Sequence, residues 1–280
     1  MPVAHQALIQ PTGRPVGAFA PSVVPIETVA RPHITVRGLR KSFEGKPVYA
    51  GFDLDIPRGK FISIFGPNGC GKSTLINLMA GLLPRDGGEI LFDGRKASEV
   101  RIGYVFQNYR EALFPWLRAR DNIAYPLKFM NIDKREQARR VEQLVTRLGI
   151  RIDLNVYPYQ MSGGQQQLVS ILRALVIEPE VLFLDEPFSA LDYEMTLFMR
   201  EQLQHMFREI GATTLIVSHD LEEAVYLADE VLLLTRAPTQ VADNVVVNCA
   251  RPRTDATLAD PEFVRIKAHC LEIFQREVRR

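Results

Sequence analysis

The chain reads Phe61-Ile62-Ser63-Ile64-Phe65 and continues directly into Gly66-Pro67-Asn68-Gly69-Cys70-Gly71-Lys72-Ser73-Thr74. The first five residues predict a buried strand, and the apolar residues from Leu75 to Leu83 recur at helical spacing. The spacing G-x-x-x-x-G-K-[ST] between strand and helix is typical of a phosphate-binding loop. Its glycines let successive N–H groups point at phosphate oxygens, and the helix N-terminus contributes the positive end of its dipole. The alternative, a chance glycine-rich turn, does not account for the flanking strand and helix.

Polar residues in and after this loop have the chemistry that a nucleoside triphosphate requires. Lys72 supplies a positive charge for the β- and γ-phosphates, and the Ser73 hydroxyl is placed to ligate Mg²⁺. Asp185 ends the apolar run that starts at Val181, and an acid at the carboxyl end of a buried parallel strand lies where such sheets bind ligands. We therefore expect Asp185 to be a magnesium partner and Glu186 to be the base for an attacking water. The alternative for both acids is to cap the next helix.

Three further segments fit phosphate chemistry, although each also has an ordinary structural explanation. Ser162-Gly163-Gly164-Gln165 precedes a helical stretch, where it forms either an anion cradle or a simple helix cap. His219 follows a buried strand, within range of the γ-phosphate end of the crevice, but a lone histidine there is more often structural. Gln107 follows the apolar run Tyr104-Val105-Phe106 and is equally ambiguous.

Composition limits the class of protein. The chain has 280 residues, 46% of them apolar and 24% charged, and its net charge of +1 argues against a dedicated nucleic-acid binder. Cys70, Cys249 and Cys270 lack the spacing of a zinc site or a disulfide framework, which fits a reducing, cytosolic setting. No apolar run is long enough to predict a transmembrane span. Residues 1–32 are rich in proline and carry few charges, so we expect a poorly ordered extension and no signal peptide.

The pattern along the chain predicts an α/β fold: a P-loop doubly wound sheet core with an antiparallel β subdomain and a helical insertion subdomain. Alternating stretches at 34–39, 52–56 and 89–94 predict half-buried antiparallel strands. Apolar runs at 181–185, 213–218 and 230–234, separated by helical stretches, predict a parallel sheet covered on both faces. The helical insertion is expected at about 108–175, within a nucleotide domain over 33–240. The tail at 241–280 is expected to hold one strand and one solvated amphipathic helix.

Taken together in chain order, the motif segments resemble those of an ABC ATPase over about residues 33 to 240. The resemblance rests on the Walker A segment Gly66–Thr74, the Q-loop Gln107, the signature Ser162–Gln165, the Walker B segment Val181–Glu186, the D-loop Ser189-Ala190-Leu191-Asp192 and the H-loop Ser218-His219-Asp220. The signature segment is highly specific to that family. The resemblance implies two copies arranged head to tail, with each ATP between the Walker A of one subunit and the signature of the other.

The same resemblance implies roles for individual residues. Glu186 polarises the water, His219 acts as the switch, and Gln107 belongs with them in the catalytic set. Mg²⁺ is held by Ser73, Gln107 and Asp185. The residues implied to bind ATP include an aromatic ring for adenine and signature groups that act in trans. They are Phe43, Gly66, Pro67, Asn68, Gly69, Cys70, Gly71, Lys72, Ser73, Thr74, Ser162, Gly163, Gly164, Gln165 and Asp192. Phe43 is also compatible with an ordinary place in the core.

The signature helix departs from the family pattern at two places. Met161 stands where leucine is usual, and Gln167-Leu168 replaces the more typical arginine-containing sequence. Neither position carries phosphate-binding atoms, so we expect activity to persist. The differences concern contacts to the partner subunit or to the surface between subdomains.

A finer resemblance concerns importers of nitrate, sulfonate, taurine and related small solutes. It rests on Pro115-Trp116, Asp121-Asn122-Ile123, Arg251-Pro252-Arg253 and Asp260-Pro261-Glu262-Phe263. It implies a homodimer of this chain, peripheral at the cytoplasmic face of the bacterial inner membrane. The implied partners are integral membrane permease subunits and an extracytoplasmic solute-binding protein, with no nucleic acid. Phe114 and Trp116 suit the groove that receives the permease, and burial in the core of the helical insertion is an equal alternative.

Two other functions would use the same nucleotide site. A soluble ABC ATPase in DNA repair, translation or cluster assembly needs no permease, and near-neutral charge and the lack of a coiled-coil pattern argue against it. A P-loop kinase would transfer the phosphoryl group, and the signature together with Glu186 beside Asp185 argues for hydrolysis instead. A nucleotide domain does not contact the transported solute, so the sequence does not identify that solute.

Overall fold

The structure is a computed structural model and describes residues 32–189 and 191–279. The extension expected at 1–32 therefore lies, except for Pro32, outside the described residues, as do Ala190 of the D-loop and Arg280. Within these limits the strands are β1 (Ile34–Phe43), β2 (Lys46–Ile56), β3 (Phe61–Phe65), β4 (Gly87–Phe92), β5 (Ile102–Val105), β6 (Val181–Asp185), β7 (Thr213–Val217), β8 (Glu230–Leu234) and β9 (Val241–Val246). The α-helices are α1 (Lys72–Met79), α2 (Tyr109–Ala112), α3 (Ala119–Ala124), α4 (Lys134–Arg147), α5 (Gly163–Leu175), α6 (Tyr193–Ile210), α7 (Leu221–Leu227), α8 (Asp255–Leu258) and α9 (Pro261–Arg279).

The larger sheet has the strand order β5-β6-β7-β3-β8-β9. β3 and β5 to β8 are parallel, and β9 runs antiparallel to β8 at the edge. Every residue of β3, β6 and β7 is buried, as expected for parallel strands covered on both faces. The doubly wound sheet predicted from the sequence is confirmed.

Successive side chains of these strands enter two different cores. In β6, Leu182 and Leu184 pack in a cluster with residues of α5, α6, α7 and α9. Val181 and Phe183 pack instead in a cluster with residues of α1 and of the smaller sheet. This alternation is the two-residue period of a strand. Because both faces are covered, the carboxyl ends of the strands are where a ligand can reach the sheet.

The smaller sheet is antiparallel, in the order β2-β1-β4. In β2, Phe52, Leu54 and Ile56 are buried and the residues between them are exposed. The buried side chains pack in the same cluster as Leu75 of α1. The antiparallel subdomain is thus also confirmed, although β2 begins at Lys46, earlier than the sequence pattern predicts.

The sequence pattern does not predict β5, which is only four residues long and contains Gly103. A Cβ atom on Gly103 would lie 2.6 Å from the carbonyl oxygen of Ala174 in α5. Glycine is therefore required for the helix to pack this close to the strand. β5 pairs in parallel with β6. Gln107, which follows β5 after Phe106, therefore lies at the same edge of the sheet as Asp185, the last residue of β6.

Helices α2 to α5 occupy the chain between β5 and β6, where the helical insertion is expected. Asp133 caps α4 by accepting two backbone hydrogen bonds. Of the apolar residues of α4, Val141 is buried and Ala138 is exposed. The fully buried Asn122 accepts a hydrogen bond from the Phe114 N–H at 2.9 Å and donates to the Phe114 carbonyl at 3.1 Å. This contact fixes the segment that carries the aromatic residues after the Q-loop.

The tail packs on the core through β9 and α9. The buried residues of α9 are Phe263, Ile266, Cys270, Ile273 and Glu277, which recur at helical spacing. The four apolar ones belong to the cluster that also contains α7. No helix in the described part of the chain is long and apolar enough to cross a membrane.

Arg253 anchors the start of the tail. Its side chain is 2% exposed and donates to the carbonyls of Val225 and Tyr226 at 2.9 Å and of Ala228 at 2.6 Å. These carbonyls lie at the end of α7, where a helix leaves acceptors without intrahelical donors and carries the negative end of its dipole. Burial lowers the pKa of Arg253 to about 10, so the guanidinium remains charged at neutral pH.

Candidate active site

The predicted catalytic residues lie at the carboxyl edge of the larger sheet. The phosphate-binding loop follows β3, Glu186 follows β6, His219 follows β7 and Gln107 follows β5. These four strands are parallel neighbours, so their carboxyl ends meet at one edge. Strand order therefore brings together segments that are far apart in the sequence.

The phosphate-binding loop curls around the ammonium group of Lys72. Lys72 Nζ donates to the carbonyls of Gly66 at 2.9 Å and Pro67 at 3.1 Å. Helix α1 begins at Lys72, earlier than the start near Leu75 that the apolar pattern predicts, and its N-cap Gly71 has φ = 101°. This left-handed conformation costs a residue other than glycine about 1–2 kcal/mol. The loop thus joins the helix N-terminus directly, where the N–H groups of the first turn have no intrahelical acceptor and can bind an anion.

Asp185 is held by two hydroxyl groups. Ser73 Oγ donates to Asp185 Oδ1 at 2.7 Å, and the Tyr104 hydroxyl lies 3.3 Å from Asp185 Oδ2 and 2.8 Å from Asn77 Oδ1. Burial raises the pKa of Asp185, and the bonds from Ser73 and Tyr104 oppose that rise. Burial also raises the pKa of Tyr104, so its hydroxyl keeps its proton. Sequence reasoning missed Tyr104, because a tyrosine within an apolar run ordinarily predicts a core position.

Glu186 is held between the other two predicted catalytic residues. Gln107 Nε2 donates to Glu186 Oε2 at 2.7 Å, and His219 Nε2 contacts Glu186 Oε1. Glu186 is 8% exposed, and its φ of 46° is unusual for a residue other than glycine. Such conformations persist where the surrounding contacts fix them, often at functional sites. The structure therefore joins three residues whose sequence patterns were ambiguous when taken singly.

A buried polar network behind His219 supports the H-loop. Ser218 Oγ donates to Glu223 Oε2 at 2.6 Å, and an Arg200 guanidinium nitrogen lies 3.5 Å from Glu223 Oε1. Burial raises the pKa of Glu223, and the contacts from Ser218 and Arg200 oppose the rise. Sequence reasoning missed Arg200 and Glu223, which lie on α6 and α7 at positions that have no motif of their own.

The signature segment forms the start of α5. Ser162 Oγ accepts from the Gln165 N–H at 3.3 Å, and Gln165 Oε1 accepts from the Ser162 N–H at 3.0 Å, which is a capping box. The helix starts at Gly163, three residues before the start predicted from the sequence. A Cβ atom on Gly164 would lie 2.1 Å from Met195 Sδ, so a larger residue here would force the Met195 side chain of α6 to move. Within the described ranges, no hydrogen bond or ion pair joins this segment to the phosphate-binding loop.

Phe43 and Asp192 lie apart from the central cluster. Phe43 ends β1 with 44% of its side chain exposed, and Lys41 Nζ lies 5.2 Å from the centre of its ring. This exposure excludes an ordinary core position. Asp192 caps α6, and its Oδ1 accepts from the Met195 N–H at 2.8 Å.

An apolar cleft of about 730 Å³ opens beside Gln107. On and beside its wall, the Phe114 ring lies 5.6 Å from that of Trp116 and 4.4 Å from that of Tyr125, which lies 5.6 Å from Phe129. Trp116 is 70% exposed and Phe129 is 76% exposed. The core interpretation is therefore wrong for Trp116, whereas Phe114 is partly buried. An exposed aromatic group at a cleft is typical of an interaction surface.

The donor set near the loop suits magnesium better than a metal such as zinc. No cluster of three or more His, Cys, Asp or Glu residues that could hold a metal ion occurs among the residues described. The hydroxyl of Ser73 and the carboxylate of Asp185 are hard oxygen donors that already touch each other. Mg²⁺ is usually bound by one or two carboxylates together with substrate phosphates, so these residues fit an ion that arrives with a nucleotide.

Comparison with known proteins links the chain to ATP-driven transport. The family described as ABC transporter matches residues 49–189. The taurine import ATP-binding protein TauB of Escherichia coli strain K12 is 35% identical over 249 residues, which are 85% of this chain and 95% of TauB. The sn-glycerol-3-phosphate import ATP-binding protein UgpC 1 of Rhizobium johnstonii is 41% identical over 206 residues. That match covers 72% of this chain and 55% of UgpC 1, so the chain spans about half the length of that relative.

Solved structures of transporter cassettes share the fold. The dimeric structure of MJ0796, a bacterial ABC transporter cassette, matches with a TM-score of 0.67 and 28% identity, covering 78% of this chain and 100% of MJ0796. CbiO1 from Clostridium perfringens, part of the ABC transporter complex cbiONQ, matches with a TM-score of 0.70 and 27% identity, covering 88% and 98% of the two chains. MJ0796 in a post-hydrolysis state with ADP and Pi is similarly close, with a TM-score of 0.66.

Proposed function

The chain belongs to the ABC transporter family, and we propose that it is the ATP-binding and ATP-hydrolysing subunit of an importer. The observation that carries the proposal is the meeting of Asp185, Glu186, Gln107 and His219 with the phosphate-binding loop at one edge of the sheet. The kinase alternative finds no support among the relatives, which are transporter ATPases.

We propose the following division of labour in hydrolysis. The loop N–H groups and Lys72 bind the phosphates, while Ser73, Gln107 and Asp185 would hold Mg²⁺, which neutralises phosphate charge. The Glu186 carboxylate accepts a proton from the attacking water, whose oxygen bonds to the γ-phosphorus as the bond to the β–γ bridging oxygen breaks. ADP and phosphate leave. The contacts from Gln107 and His219 fix the Glu186 carboxylate for that task.

The proposed active form is a head-to-tail homodimer. Ser162 and Gln165 of the signature are exposed at the start of α5, and in the part of the molecule described the signature has no bond to the loop of its own chain. In a dimer, its N–H groups and hydroxyl would face the γ-phosphate bound to the partner subunit. The dimeric MJ0796 structure supports the dimer. Phe43 would stack on adenine, and Asp192 would lie near the subunit boundary.

We further propose that the aromatic cleft beside Gln107 receives an integral membrane permease subunit. Phe114 and Trp116 are candidate anchors, because exposed aromatic rings are typical of the residues that contribute most to interfaces. The protein would then be peripheral at the cytoplasmic face of the inner membrane, served by an extracytoplasmic solute-binding protein. Likeness to TauB over 95% of its length supports a small solute such as taurine, sulfonate or nitrate.

Affinity capture tests the proposal. The tagged full chain is recovered from detergent-solubilised host membranes, and its partners are identified by mass spectrometry. A polytopic permease at about one-to-one stoichiometry is expected, since each subunit offers one cleft. Recovery with only repair, ribosomal or assembly proteins would favour a soluble ABC ATPase and contradict the importer function.

Uptake measurements test the solute. Cells that lack the chain are expected to lose uptake of labelled taurine, sulfonate or nitrate, and the wild-type chain should restore it. Lys72→Ala should not restore uptake, because that variant lacks the charge that binds the phosphates. Normal uptake of all three solutes in the deletion strain would contradict the proposed solute class.

A further inference from the structure

Two buried hydroxyl groups donate to successive carbonyls on the phosphate-binding loop. Thr239 Oγ1 donates to the Cys70 carbonyl, and the Tyr49 hydroxyl donates to the Gly71 carbonyl at 2.8 Å. Thr239 is 0% exposed and lies in the turn between β8 and β9, whereas Tyr49 is 1% exposed and lies on β2. Neither residue is near the loop in the sequence.

These bonds help to fix the direction of two N–H groups in the loop. A trans peptide is planar, so its carbonyl oxygen and its N–H point in opposite directions. Thr239 holds the Cys70 carbonyl on its own side of the loop, which turns the Gly71 N–H to the other side. The Gly71 carbonyl accepts from the Leu75 N–H of α1 at 2.8 Å, and the Tyr49 hydroxyl adds a second bond that helps to fix this carbonyl and the Lys72 N–H behind it. Gly71 and Lys72 stand at the very start of α1, where free N–H groups bind phosphate.

The Thr239 hydroxyl is itself held in place. The Thr239 N–H donates to the Val48 carbonyl at 2.8 Å, which ties the turn to β2. Arg236 of the same turn donates to the Val278 carbonyl at 2.6 Å, which ties it to the last turn of α9. The Gln240 N–H donates to Thr235 Oγ1 at 2.9 Å and closes the turn. The tail helix thus braces the turn that carries the hydroxyl.

The Tyr49 hydroxyl is equally constrained. Its ring packs edge-on against Phe52 with 5.0 Å between centroids. A Cβ atom on Gly71 would lie 2.5 Å from Val48 Cγ1 and 3.1 Å from the Tyr49 oxygen, so the loop fits tightly against β2. Burial raises the pKa of Tyr49, so the phenol remains a donor at all physiological pH values.

We propose that Thr239 and Tyr49 are positioning residues that preorganise the phosphate-binding loop. They hold the Gly71 and Lys72 N–H groups toward the α- and β-phosphates before nucleotide arrives. The tail helix α9 contributes through the Arg236 contact. The inference rests on the proposed assignment of this loop to the nucleotide phosphates.

The test is the affinity of the full chain for fluorescent N-methylanthraniloyl-ADP, which carries both phosphates and is not hydrolysed. Thr239→Val removes the hydroxyl and keeps the branched shape. Loss of one such bond is expected to weaken ADP binding about 5–10-fold, which is the equivalent of roughly 1–1.4 kcal/mol. Thr239→Ser keeps a hydroxyl and is expected to bind ADP like the wild type.

Thr214→Val is the matched control. Thr214 is also buried, and its hydroxyl donates to a carbonyl, that of Ala212 at 3.2 Å, at the amino end of β7. The Thr214→Val variant loses a comparable buried bond away from the loop, so it should lower the melting temperature as much as Thr239→Val does and leave ADP affinity unchanged. Tyr49→Phe removes only the hydroxyl oxygen. It is expected to weaken ADP binding in the same way and replaces Thr239→Val in the test if that variant folds poorly.

The outcomes separate the possibilities. Weaker ADP binding by Thr239→Val and Tyr49→Phe, with rescue by Thr239→Ser, supports the proposal. Wild-type affinity in either variant, failure of Thr239→Ser to restore binding, or equal weakening by the Thr214→Val control overturns it. Absence of ADP binding by the wild-type chain would overturn the proposed function, and this inference with it.

Discussion

Lowering the pH from 7 to 5 is expected to destabilise the fold through one buried histidine. His33 precedes β1, where the smaller sheet meets the larger, and its Nδ1 hydrogen-bonds with Thr213 Oγ1 of β7 at 2.6 Å. Its side chain is fully buried. Burial, reinforced by the charge of Arg58, lowers the pKa of His33 from 6.5 to about 4. The imidazole is therefore neutral in the folded chain at pH values where it is charged in the unfolded chain.

The sign and size of the effect follow from these two pKa values. Between pH 6.5 and 4 the unfolded state binds more protons than the folded state, so falling pH favours unfolding. Stability that is fully present above pH 6.5 is lost as the pH falls toward 4. The loss attributable to His33, with a pKa of about 4 in the folded state, is about 2 kcal/mol at pH 5 and about 3 kcal/mol at pH 4.

Urea unfolding of the wild type and of His33→Asn at pH 7 and pH 5 measures this loss. Asparagine places an amide near the position of Nδ1, so it retains a partner for Thr213 without titrating. Between the two pH values the wild type is expected to lose about 2 kcal/mol more than the variant, because other titrating groups contribute equally to both. Equal losses would refute the reasoning, as would an NMR titration that gives His33 a pKa near 6.5.

Three other variants test the site and its supports. Glu186→Gln removes the proposed base, so kcat for ATP hydrolysis should fall about 10²–10⁴-fold, while ATP binding and ATP-dependent dimers in size-exclusion chromatography persist. A monomer at saturating ATP would contradict the shared site. Replacing Phe114 and Trp116 by Ala should weaken permease capture but spare basal hydrolysis. Leu271→Ala, at an exposed position of α9, is the control. Loss of the folded circular-dichroism spectrum would indicate a core role instead. Arg253→Met leaves buried carbonyls at the end of α7 without their donor. It should therefore lower the free energy of unfolding, measured in urea, by about 3–5 kcal/mol. A loss below about 1 kcal/mol would mean that Arg253 does not anchor the tail.

The phosphate-binding loop was predictable because its chemistry is local. Glycine at the N-cap, lysine next to it and serine after that must follow one another in the chain for the loop to turn into a helix. The alternation of apolar residues in β2 likewise shows which side chains face the core. Patterns of this kind predict both sheets, and the structure confirms them.

The candidate catalytic cluster was less predictable from its residues. Gln107, Glu186 and His219 are single polar residues after strands, and their meeting depends on β5, β6 and β7 being neighbours. Strand order is not encoded in any local period, so only the family resemblance grouped these residues. β5 itself was missed because Gly103, which lets α5 pack against it, weakens the strand pattern.

The residues that hold the site in place are the part that no local pattern marks. Tyr49 lies on a strand whose alternation predicts only a buried ring, and Thr239 lies in a turn where threonine is ordinary. Each becomes a donor to the loop only because its segment passes behind that loop in the folded chain. A hydroxyl is a weak signal in a sequence, but a buried one needs a partner, since leaving it unpaired costs about 1–3 kcal/mol. Positioning residues of a phosphate-binding loop are therefore best sought by asking which buried hydroxyls satisfy its carbonyls.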